Sequence, residues 1–507
     1  MKTHENTTAK IPVGLAALLD IRGITPSVVN ALHQELNIND LATLTRAINS
    51  GRLKEVKSLT DEQIEDIKHA LKLHKTAGSR ISLWDATLIG TEIVKAIEQF
   101  PETEKVSFAG SLRRKDDTIG DIDMVVQVSN NNKKKLISKI NALPQVSHVV
   151  AVGNSRICLL LQNHLQADIR LTNKEQYGAT MLHYTGPVAH NDQLMKLAEK
   201  NGYHLGEAGL SNSDNGTYIG GTTEEEIYRL LHLSYPEPEL RGNAEVVASA
   251  AAHQLPALIS FNQIRGDMQI HSNYCDGAAG IIEIARYVIH AFPHYQYMVI
   301  TDHSIPGKDK AQMNYLDYLR QFEEIDNINK ILGLNFVKKG VEAIIQENME
   351  LNQPRELLQQ ADWVIATIQD GLNRDNTQRL ISACENPFVN CIAHPGGRII
   401  SLQNGYPVDW DAVFRKAAAT GTALEINSRP DRLDLSADLA RQAIKHGVKL
   451  AIDADAYTLP HFDFIHLGIA TARKAGCSKS DILNAQPWDV ISKIRRNKID
   501  TITGKQK

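Results

Sequence analysis

The chain has 507 residues, enough for about three domains at roughly 150 residues each, which excludes a single small binding module. Apolar residues make up 42% and charged residues 22%, ordinary proportions for a globular protein. Lys+Arg 55 against Asp+Glu 59 leaves a net charge of −4, so any nucleic-acid binding has to come from local patches and metal-bridged phosphates rather than an overall basic field.

Five scattered cysteines (Cys158, Cys275, Cys384, Cys391, Cys477) form no CxxC pair, which argues against a disulfide scaffold and against a structural zinc site. The polar start MKTHENTTAKIP carries no signal-peptide stretch, and no run of about 18 apolar residues follows. The expectation is a cytoplasmic protein with no membrane segment.

Residues 11–75 read as helical, with Val28, Val29, Leu32 and Leu36 at helical spacing and a second unit from Leu41 to Leu73. Short helices with tight turns predict helix-hairpin-helix repeats over 11–80, in which a glycine turn opens a helix and its backbone N–H groups can hold a phosphate. The first turn is Arg22-Gly23-Ile24-Thr25-Pro26; the second, Lys57-Ser58-Leu59-Thr60-Asp61, has no glycine, and a plain helical packing module stays open there. An amphipathic helix is predicted over 83–100. Strands follow at Val106–Phe108, Ile122–Val128, Val146–Val152, Ile157–Leu161 and Gln166–Leu171, within a mixed region taken as 81–240. The run Asn130–Lys135 (NNNKKK) reads as a solvated loop. Pro236-Glu237-Pro238-Glu239 breaks the pattern, a linker is expected over 241–262, and the Ala-rich stretch 244–252 reads as a helix. From 263 to 500, strands at Tyr297–Thr301, Phe336–Gly340, Trp363–Ile368, Val389–Ile392, Ala423–Ile426 and Val448–Ile452 alternate with helices, which predicts a largely parallel sheet, open or closed into a barrel.

The sharpest chemical signal is Gly110-Ser111-Leu112-Arg113-Arg114 followed by Gly120-Asp121-Ile122-Asp123. Asp121 and Asp123, one residue apart on a strand, share a face. Asp168, in Gln166-Ala167-Asp168-Ile169-Arg170, joins them if its strand pairs with the first. Three carboxylates repel unless cations neutralise them, and hard oxygen ligands suit Mg²⁺. Such a set can hold two ions, one for a hydroxyl nucleophile and one for the leaving phosphates. Ser111 and Arg114 lie where a triphosphate could be cradled.

These residues resemble the family X DNA polymerases of the nucleotidyltransferase superfamily, whose palm motif GS-x-RR-x5-GD-x-D appears without gap from Gly110 to Asp123. His183-Tyr184-Thr185-Gly186-Pro187 and His190-Asn191 are similar to the family's YFTGS and HN segment, with His183 and Pro187 as departures. Leu205-Gly206-Glu207-Ala208-Gly209-Leu210, Thr223–Tyr228 and Pro238-Glu239-Leu240-Arg241 resemble the thumb of the bacterial branch. The resemblance implies a palm and thumb of the polymerase beta type, with Asp121, Asp123 and Asp168 as catalytic metal ligands. It implies that Gly110, Ser111, Arg114 and Gly120 hold the triphosphate, and that Tyr184, Gly186 and Asn191 contact sugar and base.

Residues 264–460 resemble the polymerase and histidinol phosphatase (PHP) domain of the bacterial enzymes, a seven-stranded (β/α) barrel that holds Mn²⁺ or Zn²⁺ and supplies 3′–5′ exonuclease or phosphoesterase activity. The resemblance implies His271, Asp276, His303, Glu342, His394 and Asp455 as ligands. Three positions depart from it, Gln269, Gln369 and Tyr457 each standing where a histidine is expected. The expectation is a degenerate metal site and a weakened exonuclease. Relatives begin with a further helical domain of about 80 residues ahead of the repeats, whereas the resemblance here starts near Ile11, which implies a weak, salt-sensitive grip on DNA.

The reading is a multidomain α+β and α/β protein: a helix-hairpin-helix region, a nucleotidyltransferase palm with thumb, and a PHP-type (β/α)7 barrel. It would add dNMP to a primer 3′ hydroxyl in DNA repair, as a monomer on primer-template DNA with dNTP and Mg²⁺. A nucleotidyltransferase acting on a non-DNA substrate, a non-catalytic DNA-binding scaffold and a phosphoesterase using the surviving barrel ligands stand as alternatives.

Overall fold

A computed structural model describes residues 26–38, 41–56, 59, 64, 80–304 and 313–504. Contacts divide the chain into two units, Met1–Tyr235 and Pro236–Lys507. In the first, helices α1 (Pro26–Leu36) and α2 (Leu41–Asn49) and a 3-10 turn (Arg52–Glu55) bury Leu32, Leu44 and Leu53 in a small core. The turn 22–26 apart from Pro26, and the turn 57–61 apart from Leu59, lie outside the described residues.

After β1 (Ile81–Ser82), the Ser82 hydroxyl accepts from the Asp85 N–H at 3.0 Å and starts α3 (Leu83–Glu98). Then come β2 (Lys105–Phe108), α4 (Gly110–Arg113), β3 (Thr118–Ile119), β4 (Asp121–Gln127), α5 (Lys133–Asn141), β5 (Val146–Val152), β6 (Arg156–Leu161) and β7 (Gln166–Thr172). The five-stranded sheet runs β2-β4-β7-β6-β5, with β4 and β7 parallel and the other neighbours antiparallel. Burying Ile122 and Met124 turns Asp121 and Asp123 to the opposite face. The expected loop 130–135 is instead a 3-10 turn running into α5. Leu136 and Ile140, four apart, bury one face, while Lys135 and Lys139 reach the buried Glu102 at 2.7 Å each. Helices α6 (Tyr177–Thr185) and α7 (Val188–Lys200), the antiparallel sheet β8 (Tyr203–Gly206), β9 (Gly209–Asn212), β10 (Tyr218–Gly220) and α8 (Glu224–Leu230) complete the unit.

In the second unit the segment 241–262 is not a bare linker: it carries α9 (Val246–Ala251), at the Ala-rich stretch, and buries Arg241, Val246 and Ile259. The second unit begins at Pro236. Seven parallel strands follow in order, β11 (Gly266–Ile270), β12 (Tyr297–Ile300), β13 (Val337–Ile344), β14 (Trp363–Thr367), β15 (Cys391–Ile392), β16 (Ala423–Asn427) and β17 (Leu450–Asp453). First and last strands meet across a seam where the Met268 N–H donates to Asp453, the Ala454 N–H to Asp267 and the His271 N–H to the Ala456 carbonyl. Helices including α10 (Ile281–Ala291), α11 (Tyr315–Leu332) and α12 (Ile465–Ala475) pack the core outside this barrel. No helix among the described residues is long and apolar enough to cross a membrane.

Candidate active site

Strands β4 and β7 pair in parallel register with Asp123 opposite Asp168 and Asp121 opposite Gln166. That register brings one carboxylate oxygen each of Asp121, Asp123 and Asp168 within 4.8 Å of one another. Asp168 is buried; it accepts from Gln166 Nε2 at 3.0 Å and lies 3.5 Å from Arg156 Nη2. Three acidic groups this close are held against mutual repulsion, and divalent cations with oxygen preference suit the set. Gly110, at φ +56°, abuts Asp123 so closely that a Cβ there would lie 2.0 Å from its carboxylate. A glycine is required at that turn on both counts.

The other residues expected to meet a nucleotide lie on or beside α4, α6 and α7, apart from Gly120. Arg114 donates to the Thr185 carbonyl at 2.5 Å and to Asp116 at 2.7 Å, so it holds the turn at Gly186. Arg113 bonds Thr185 Oγ1 at 2.6 Å and Glu224 on α8. Ser111 is half-buried on α4, and Gly120 directly precedes β4 beside Arg80. Tyr184 donates to Glu207 at 2.9 Å beneath the Arg170 guanidinium, 4.2 Å from its ring. Burial and the Glu207 bond push its hydroxyl pKa up to about 12. Asn191 donates to the His183 carbonyl at 2.8 Å, whereas His190 is buried against the Tyr228 hydroxyl at 2.6 Å and serves the packing of the fold. Sequence reading assigned no role to Arg156, Gln166, Arg170 or Glu207; for Gln166 and Arg170 the QxDxR spacing around Asp168 is the available signal.

The barrel's candidate ligands divide. His271, Asp276 and His303 come together with Cys275, a residue absent from the expected ligand set, their ligand atoms within 4.8 Å of one another. Asp455 and Glu342 lie 3.1 and 3.6 Å from His271 Nε2. His394 is not in that group; its ring sits 3.3 Å from Thr367 Oγ1. Gln369 reaches the same hydroxyl, Gln269 turns its amide to Glu425, and Tyr457 stacks on His271 with centroids 4.2 Å apart. Burial pulls the His271 pKa down, but the Asp455 bond and the charges of Asp455, Glu342 and Asp302 outweigh it and raise it to about 9. Burial, with Arg432 nearby, lowers His394 to about 3. Glu342 Oε2 and His303 Nδ1 are buried without a hydrogen-bond partner, as befits a cation site, yet with the expected imidazoles missing the residues fit fewer ions than a full cluster.

Carboxylates crowded onto one sheet face beside a glycine-serine turn are the means by which nucleotidyltransferases handle triphosphates, and the first unit is of that class. Similarity to known proteins carries the assignment further. Residues 180–242 match the DNA polymerase beta thumb family. The chain is 31% identical over 501 residues to the DNA polymerase/3'-5' exonuclease PolX of Bacillus subtilis, spanning 98% of this chain and 87% of that protein. A protein of Thermoanaerobacter sp. named a probable phosphatase is 29% identical over 217 residues, 40% of this chain and 83% of its own. A ternary gap complex of Leishmania infantum polymerase beta covers 47% of this chain and 94% of its own at 18% identity and TM-score 0.39. This chain belongs to the bacterial PolX-type family X DNA polymerases.

Proposed function

We propose that the chain extends a primer 3′ hydroxyl on a DNA template in the cytoplasm, in DNA repair, with Asp121, Asp123 and Asp168 as the ligands of two Mg²⁺ ions. The all-oxygen donor set supports Mg²⁺. Bound there, such ions supply activation of the attacking oxygen and charge neutralisation on the phosphates. The protein's own part is placement: Gly110 and Ser111 offer the turn that faces the triphosphate, and Arg114 fixes the Thr185–Gly186 turn against it. Tyr184 and Asn191 present the surface for sugar and base. All three carboxylates come from one chain, which supports action as a monomer.

The observation that carries this reading is the parallel register of Asp123 with Asp168. Primer extension by the purified protein tests it, with Asp121→Ala and Asp123→Ala as controls. Incorporation of dNMP that both substitutions abolish is expected; no incorporation with Mg²⁺ or Mn²⁺ refutes it.

For the barrel we infer a weakened 3′–5′ exonuclease. Gln269, Gln369 and Tyr457 occupy expected imidazole positions and bond or stack within the barrel, and His394 stands outside the group of His271, Asp276 and His303, which supports the same reading. Release of 3′ nucleotides by the Asp123→Ala protein as fast as the wild type extends a primer would overturn it.

A further inference from the structure

Glu207 and Ala208 are the whole loop of the hairpin that joins β8 to β9, since Gly206 and Gly209 already pair. A loop of two residues takes its geometry from the strands it joins. The Glu207 carbonyl lies 3.3 Å from Thr180 Oγ1 on α6, and the same hydroxyl lies 3.1 Å from Thr172 Oγ1 at the end of β7. The hairpin tip is therefore fixed against the helix that carries Tyr184.

From that tip the Glu207 carboxylate accepts a hydrogen bond from the Tyr184 hydroxyl at 2.9 Å. The Arg170 guanidinium covers the ring, 4.2 Å from its centroid. Arg170 lies two residues past Asp168 on β7, on the same face. Its cross-strand partner on β6 is Arg156, so two like charges stand opposite each other and the electron-rich ring face receives one of them. The Tyr184 side chain also packs against Ala109, Val125, Tyr177 and Met181. The ring is thus held at its face, along its stem and at its hydroxyl tip. Only the tip bond is charge-assisted, and without it the ring can turn about its side-chain bonds. Deoxyribose and ribose differ by one hydroxyl. A wall that rejects that hydroxyl has to stand still, because a ring free to swing yields to it.

We propose that Glu207 is a positioning residue for sugar selection: through the Tyr184 hydroxyl it fixes the ring against which the nucleotide's sugar lies, so that ribonucleotides are rejected. The inference rests on the sugar contact proposed for Tyr184. Glu207 itself touches neither the nucleotide nor the three aspartates, and it is not a catalytic residue. The expected effect is about tenfold, the equivalent of about 1.4 kcal/mol, at the low end for a hydrogen bond to a charged group, as suits an exposed carboxylate.

The test is the ratio of kcat/KM for a dNTP to kcat/KM for the matching rNTP on one primer–template, measured with the full-length protein. Glu207→Ala and Tyr184→Phe should each lower that ratio about tenfold, mainly through a lower KM for the rNTP. The double variant should lower it no further, because both changes remove the same bond. Dissociation constants for the two nucleotides on a 3′-dideoxy-terminated primer should show the same pattern without turnover. If Glu207 merely holds the hairpin together, its loss depresses dNTP and rNTP use alike and leaves the ratio standing, which overturns the proposal. Additive effects in the double variant, or a wild-type ratio near one, also overturn it. Tyr184→Ala separates the two readings. If it changes the ratio and Glu207→Ala does not, the sugar contact stands and this inference falls; if neither changes it, both fall. Should Glu207→Ala fail to fold, Tyr184→Phe keeps both the ring and the hairpin, and an unchanged ratio in that variant overturns the proposal.

Discussion

Gly110→Ala separates the geometry of the carboxylate site from its mere composition. The added Cβ would lie 2.0 Å from Asp123 Oδ2 and 2.8 Å from its Cγ, at a backbone φ of +56°. Ordinary contact requires Asp123 to retreat by about 1 Å or more, and a misplacement of that size in a catalytic constellation costs roughly 100-fold in rate. The left-handed backbone adds about 1–2 kcal/mol of strain, a fall in melting temperature of a few degrees for a unit of this size. Gly216→Ala is the control: φ is +69° and nothing lies within 4 Å of its Cβ position, so it carries the strain without the collision. Single-nucleotide extension at saturating dNTP should show kcat down about 100-fold for Gly110→Ala and within about threefold of wild type for Gly216→Ala. Equal activity of the two variants, or equal loss, would refute the reasoning.

Chelation by EDTA should abolish extension, and excess Mg²⁺ should restore it fully, as an oxygen-only ligand set requires. Glu224→Ala removes the carboxylate partner of Arg113, which keeps its bond to Thr185 Oγ1, and should destabilise the first unit by about 1–3 kcal/mol in urea unfolding. Burial, only partly offset by Arg398 and backbone N–H donors from Gly396 and Arg398, raises the Asp434 carboxyl to about 6. Because the folded state holds that proton more tightly than the unfolded chain, its contribution is full below about pH 4 and is lost as pH rises through about 6, on the order of 3 kcal/mol. Asp434→Asn should flatten that part of the pH–stability curve; an unchanged slope between pH 4 and 6 counts against the assignment.

The three aspartates were legible because Asp121 and Asp123 alternate with the buried Ile122 and Met124, and parallel pairing needed only the right register to bring Asp168 beside them. What stayed hidden was what other side chains conceal. Helix α5 was masked by its own lysines, whose charged ends satisfy a buried Glu102 while Leu136 and Ile140 do the packing. Strand β11 is buried along its whole length and carries Asp267 and Gln269, so neither alternation nor an apolar run announced it. Those polar groups belong to the seam with β17 and to Glu425, contacts that exist only once the barrel closes. Arg114 reads as a cation for phosphates; its bond to Thr185 comes from tertiary packing, and its bond to Asp116 lies within the local turn.

The two acidic clusters solve the same electrostatic problem by different means. In the first unit the carboxylates crowd one sheet face with Arg156 Nη2 3.5 Å from Asp168, and bound cations would share the neutralisation. In the barrel the protein supplies much of it: against the opposing pull of burial, the His271 bond and the charges of His271, His394 and Arg429 hold Asp455 below the usual carboxylate range, and Asn427 Nδ2 donates to it at 3.0 Å. Arg429 also lies over the Tyr457 ring, at a position where the resemblance expects an imidazole. That is why the barrel can lose three imidazoles without losing the buried network that joins His271, Glu342 and Asp455.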